Sequence, residues 1–87
     1  MTTALYIGAD NATGLIDLPR IESIISKTHE GFTVIPSVGS WHGMTEPSAV
    51  VILSDTPESI TATVATLMCE LHQDAIGVEE LPPIRFA

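Results

Sequence analysis

Phe32-Thr33-Val34-Ile35-Pro36-Ser37-Val38-Gly39-Ser40-Trp41-His42-Gly43-Met44-Thr45-Glu46-Pro47-Ser48-Ala49-Val50-Val51-Ile52-Leu53 is the passage whose reading decides the fold. Two apolar runs rich in β-branched residues, Phe32–Ile35 and Ala49–Leu53, flank a polar segment, Gly39 to Pro47. Strand, short loop, strand predicts a β-hairpin. The second strand of the chain runs from Phe32 towards Trp41, but Pro36 interrupts it, and a proline cannot donate to a ladder, so this strand belongs at a sheet edge. Ala49–Leu53 is apolar on both faces, which suits an interior strand.

Working outward, Ala4-Leu5-Tyr6-Ile7 reads as a first strand ended by Gly8, and Ala9-Asp10-Asn11-Ala12-Thr13-Gly14 as a turn-forming loop. Asp17 as a cap and Pro19 in a first turn open a helix whose Leu18, Ile21, Ile24 and Ile25 share one face, with Gly31 as its stop. Asp55-Thr56-Pro57-Glu58 opens a second helix. Its apolar stripe is Ile60, Val64, Leu67, Met68 and Leu71, widened by Ala62, Ala65 and Cys69 as small buried residues. Ala75-Ile76-Gly77-Val78 reads as the last strand, with Pro82-Pro83 ending it.

The resulting order is βαββαβ, the split-βαβ or ferredoxin-like arrangement, an α+β fold in one domain over residues 1–87. Right-handed crossovers then give an antiparallel four-stranded sheet in the order 4-1-3-2 with both helices on one face. That order puts the second strand at an edge, where Pro36 independently requires it.

Composition narrows the function. The chain is 45% hydrophobic and 16% charged, with a mean hydropathy of +0.35, which is apolar for a small monomer. A homo-oligomer, dimer or trimer, is therefore expected. The net charge is −8, and Arg20, Lys27 and Arg85 are the only Lys and Arg residues, so neither nucleic acid nor an anionic membrane is an expected partner. A single cysteine excludes an intrachain disulfide and a thiolate zinc cluster. The start Met1-Thr2-Thr3 carries no basic leader pattern, and no apolar run reaches the length of a membrane span, so a cytoplasmic location is expected.

In this topology the loop after the first strand, the central hairpin and the turn into the fourth strand emerge at one end. That end gathers Asp10, Asn11 and Thr13, then Trp41, His42 and Glu46, then His72, Gln73 and Asp74. Trp41, His42, Glu46, Asp10, Asn11, Thr13 and Gln73 are the candidate ligand or interface residues, with Trp41 as an aromatic platform beside polar groups. His42 and His72 are suitable metal-ligand types, but no helical i, i+4 pair or dedicated metal spacing accompanies them, so no metal and no cofactor is assigned. Gly8 to Gly14 lacks the Gly-Lys-Ser/Thr of a phosphate-binding loop, and Ser40, Ser54 and Cys69 lack a base at an expected position. No catalytic residue is assigned. His29 is expected at the opposite end, on the surface.

Tyr6-Ile7-Gly8, Asn11, Thr13, Gly31-Phe32-Thr33, Gly39-Ser40-Trp41-His42-Gly43, Glu46, Ser48, Gln73, Ala75 and Val78 together resemble a group of small uncharacterised bacteriophage and prophage proteins. That resemblance implies a viral origin and the host cytoplasm, without a mechanism. Ile35-Pro36, Trp41-His42-Gly43 and Glu79-Glu80-Leu81-Pro82 also resemble, more distantly, CutA and the PII-like signalling proteins, which are trimers on the same βαββαβ plan. The expectation is a non-enzymatic homo-oligomeric module that binds a small ligand or a host protein. The alternatives are a small enzyme using Ser40 and the Trp41/His42/Glu46 hairpin, and a purely structural interaction module.

Overall fold

The computed structural model describes residues 1–87, apart from the side chain of Trp41. The elements are β1 (Thr2–Ile7), α1 (Leu18–Ser26), β2 (Phe32–Trp41), β3 (Met44–Ser54), α2 (Pro57–Glu70) and β4 (Gly77–Leu81). All strand pairs are antiparallel and the sheet order is β2-β3-β1-β4, the expected 4-1-3-2 read from the other edge. Pro36 lies on the edge strand, opposite Ala49.

Alternation along the strands builds the core. Leu5 and Ile7 of β1 stand opposite Val51 and Ala49 of β3, and all four are buried. They form one cluster with Ile21, Ile24 and Ile25 of α1 and Ile60 and Leu67 of α2, so both helices cover the same face. Each helix starts on a side-chain cap. The Arg20 amide donates to Asp17 Oδ1 at 3.1 Å, and the Ser59 amide to Thr56 Oγ1 at 3.2 Å, with a proline in each first turn.

β2 runs from Phe32 to Trp41 as expected, but the loop after it is shorter than the polar stretch Gly39 to Pro47: β2 and β3 stay paired to the rung Trp41 opposite Met44, and the turn is His42-Gly43 alone. Both turn residues have positive φ, 51° and 77°, the type I′ geometry that suits the twist of a two-residue hairpin. Glycine, serine and proline are poor strand formers, which hid the pairing. β1 ends opposite Ala49, so Met44–Ser48 of β3 runs on with an open edge where Pro47 is tolerated. The molecule measures 38 × 23 × 20 Å, its long dimension reflecting this overhang.

Other boundaries move for local reasons. α1 closes at Ser26, because the Thr28 and His29 amides both donate to the Ile25 carbonyl and swing the chain away before Gly31. β4 begins at Gly77, where an added Cβ would stand 3.3 Å from the Tyr6 side chain, and continues to Leu81. Ala62, Ala65 and Cys69 are exposed, while Thr63 is buried in their place.

Thr63 is buried because His29 is. His29 lies at the end expected but is only 4% exposed, contrary to a surface position. Its Nδ1 is 2.8 Å from Asp55 Oδ2 and its Nε2 2.6 Å from Thr63 Oγ1. Carboxylate, imidazole and hydroxyl stand in the order of an acyl-transfer triad. Thr63 is itself 5% exposed, however, and the groove beside it holds only about 180 Å³, so the set acts as a clasp between the α1–β2 link and α2. The Thr56 amide, followed by the His29 imidazole, holds the Asp55 carboxyl below the usual carboxylate range.

Two outcomes follow from these buried polar groups. Thr3 is fully buried and its Oγ1 has no hydrogen-bond partner among the described residues. Thr3→Val, which keeps the shape and removes the hydroxyl, should raise unfolding stability by about 1 kcal/mol in urea titrations. Because the Asp55 pKa is depressed on folding, its contribution is present above the unfolded carboxylate pKa and lost as pH falls through the folded one. Wild type should therefore exceed Asp55→Asn in stability at neutral pH, and the gap should close below about pH 4; a gap that persists in acid would contradict this.

Candidate functional site

At the C-terminal end of α2 the Leu71 amide donates to the Leu67 carbonyl and the Gln73 amide to the Met68 carbonyl, both at 2.9 Å. This is a Schellman closure, whose left-handed residue is usually glycine. Here it is His72, at φ 52°. A histidine in that conformation is strained, and the structure uses it to aim the ring at the first loop. His72 Nδ1 lies 3.0 Å and 3.2 Å from the two carboxylate oxygens of Asp10.

Asp10 also organises its own loop. Its Oδ1 accepts the Ala12 amide at 2.7 Å and its carbonyl accepts the Gly14 amide at 2.7 Å, with Gly14 at φ 71°. The Ala12 hydrogen bond is the main cause of a depressed Asp10 pKa, which partial burial opposes and His72 reinforces. The carboxylate is thus held in its ionised form.

Gln73 joins the same loop from the other side. Its Nε2 donates to the Ala9 carbonyl at 2.7 Å and to the Leu71 carbonyl at 3.3 Å, two acceptors that fix the amide's orientation. Its Oε1 is left facing Gly8. A Cβ on Gly8 would stand 3.4 Å from that oxygen and 3.0 Å from Glu46 Oε1, so both acceptors lie close over this backbone point. Residues far apart in sequence meet at one backbone point.

Gly8 lies between two depressions. One, of about 490 Å³, runs between the first loop and the end of α2, with Asp10, Thr13 and His72 at one side and Arg20 and Glu70 at the other. Arg20 Nη2 is 3.7 Å from Glu70 Oε1, both side chains being substantially exposed. The second, about 340 Å³, lies on the sheet face away from the helices, beside Tyr6, Ser37, Glu46 and Ser48.

Of the residues expected at this end, Asp10, Thr13, Glu46 and Gln73 converge around the two depressions. Asn11 is exposed on the loop and lines neither. His42 occupies the hairpin turn, beyond the Gly39–Glu46 rung by roughly 10 Å of strand. The side chain of Trp41 lies outside the described residues. Gly39 shares a face with its rung partner Glu46, which places the adjacent Ser40 on the opposite face of the hairpin from Glu46. Gly8, Arg20 and Glu70 escaped the sequence reading. Gly8 reads as a strand terminator in the sequence, and Arg20 and Glu70 meet only where α1 and α2 lie together.

No protein-family model and no curated protein matches the chain. Solved structures do match. The chain is similar to the divalent cation tolerance protein CutA1 from Thermus thermophilus, with a TM-score of 0.61 and 10% identity over 100% of this chain and 88% of that one. It is similar to CutA1 from Oryza sativa, at 0.60 and 20% over 99% and 83%. It is also similar to the 5-chloro-2-hydroxyhydroquinone dehydrochlorinase of Burkholderia phenoliruptrix, at 0.57 and 13% over 94% of each chain. A cation-tolerance protein and an enzyme thus share this architecture, and fold alone does not choose between them. The phage resemblance rests on the sequence motifs alone. What these likenesses establish is the fold, a CutA1-like α+β domain.

Proposed function

We propose that the chain is a self-associating binding module without catalytic machinery of its own, taking a small ligand at the end where Gly8, Asp10, Glu46, His72 and Gln73 meet. The observation that carries this reading is the convergence of the first loop, the hairpin and the α2 terminus on Gly8, with Glu46 Oε1 and Gln73 Oε1 close over it. A cavity of about 490 Å³ beside that point has the size of a small-molecule site and favours a small ligand over a host protein. A viral origin and a host partner are the finer parts of this reading, and they lean on the phage-like motifs.

Self-association is supported by apolar surface left outside the core. Tyr6 and Ile35 on the open sheet face, and Val38 and Met44 on the overhanging hairpin, are large exposed hydrophobic residues. The unpaired edge of Met44–Ser48 is a further place for a second copy to attach. The CutA1 neighbours are named for divalent-ion tolerance. Here Asp10 and His72 have no third His, Cys, Asp or Glu placed to complete a metal set among the described residues, so the donors do not fit a resident metal ion.

Light scattering at micromolar concentration should return a multiple of 9.2 kDa, and a monomer throughout that range would overturn the reading. Trp41→Ala should weaken assembly by about 2 kcal/mol or more with the circular dichroism unchanged, as truncation of an interface anchor does. Unfolding of that variant would place Trp41 in the core instead. His72→Gly relieves the left-handed strain and should raise stability by about 1 kcal/mol, while hydrogen exchange of the Asp10–Gly14 amides accelerates. A less stable variant would mean that the Asp10 contact outweighs the backbone strain.

A further inference from the structure

We infer that the cavity between the first loop and the end of α2 seats a small organic cation, a protonated amine carried on an apolar body. This deepens the ligand-site reading and depends on it. The titratable groups lining the cavity are Asp10, Asp17, Glu70, Arg20 and His72, three carboxylates against one guanidinium and one imidazole. Glu70 already faces Arg20 at 3.7 Å and offsets its charge. Asp17 Oδ1 accepts the Arg20 amide; Asp10 Oδ1 accepts the Ala12 amide and both Asp10 oxygens face His72 Nδ1, while a carboxylate accepts about four hydrogen bonds in all. Acceptor capacity therefore remains, and the excess of carboxylates over cationic groups disfavours an anionic ligand.

The remaining surface selects against a bare metal ion. Leu15, Ile16 and Leu71 give the cavity apolar walls, and Leu15 is left 66% exposed at its edge. A hydrated ion gains nothing from such walls, whereas an amine with a hydrocarbon body covers them. Across Gly8, Glu46 Oε1 and Gln73 Oε1 add two further acceptors, beside the Tyr6, Ser37 and Ser48 hydroxyls of the second depression.

Calorimetry of the wild-type protein at neutral pH with 2-phenylethylamine, 2-phenylethanol and phenylacetate tests this, since the three probes share a body and differ in charge. The amine should bind at least tenfold more tightly than either of the others. Glu70→Gln, a substitution by another good helix former that strips Arg20 of its partner, should weaken the amine at least tenfold and strengthen phenylacetate. Wild-type preference for phenylacetate or the alcohol, or an amine affinity unchanged in the folded Glu70→Gln variant, would overturn the cation assignment and leave the ligand-site reading standing. No heat with any probe, from protein shown to be folded and associated, would overturn both.

Discussion

β1 and β3 are unequal in length, and much else depends on that. β1 has 6 residues and β3 has 11, and β1 is hydrogen-bonded on both sides, to β3 and to β4. Its Leu5 and Ile7 are buried at the centre of the core, so the strand cannot slide in register without carrying its apolar residues to the open face. When β1 stops opposite Ala49, the chain must leave the sheet while β3 continues beside it. The departing backbone passes under Glu46, and the exit point is Gly8. The overhanging hairpin, the open β3 edge and the depressions on either side of Gly8 are consequences of one mismatch.

The two ends of the molecule handle polar groups differently. At the end near Met1, His29, Asp55 and Thr63 are drawn together, with His29 and Thr63 buried, and each ring nitrogen of His29 has a partner. Buried polar groups of this kind stabilise only when satisfied, and Thr3 is buried without a partner among the described residues. At the Gly8 end the ionisable groups stay in reach of solvent, and the backbone carries the strain. His72 takes the left-handed place of a helix-terminating glycine, which sets its ring against Asp10. One end uses burial to tie the chain down; the other uses backbone strain to position a side chain.

This division fits the fold's record elsewhere. Proteins with the same layout are named for divalent-ion tolerance and for dehydrochlorination, which shows that the layout does not dictate the chemistry. The βαββαβ frame supplies a rigid sheet and two helices, and the loops at one end decide what meets there. In this chain they bring together three carboxylates, a guanidinium and an imidazole, beside apolar walls.

Much of the architecture was legible in the residues. β-branched runs, two proline-led helix starts and Pro36 at an edge specify element type and order through local sterics and periodicity, which need no knowledge of distant contacts. Boundaries were less legible: Gly39 to Pro47 lacks strand propensity, yet ten rungs of antiparallel pairing hold it extended to a two-residue turn. Asp10, Thr13, Glu46 and Gln73 could be assigned to one end from topology alone. The closeness of Glu46 to Gln73 across Gly8, the Arg20–Glu70 pair and the burial of His29 could not, because each depends on the separation of atoms brought together by packing. Local chemistry along the chain thus sets the βαββαβ order and the edge position of β2, since those follow from which residues can extend, turn or donate a hydrogen bond. Packing sets the site, since side chains 50 and 62 positions apart, Arg20 with Glu70 and Asp10 with His72, meet only when the first loop folds back and α2 closes on a left-handed histidine.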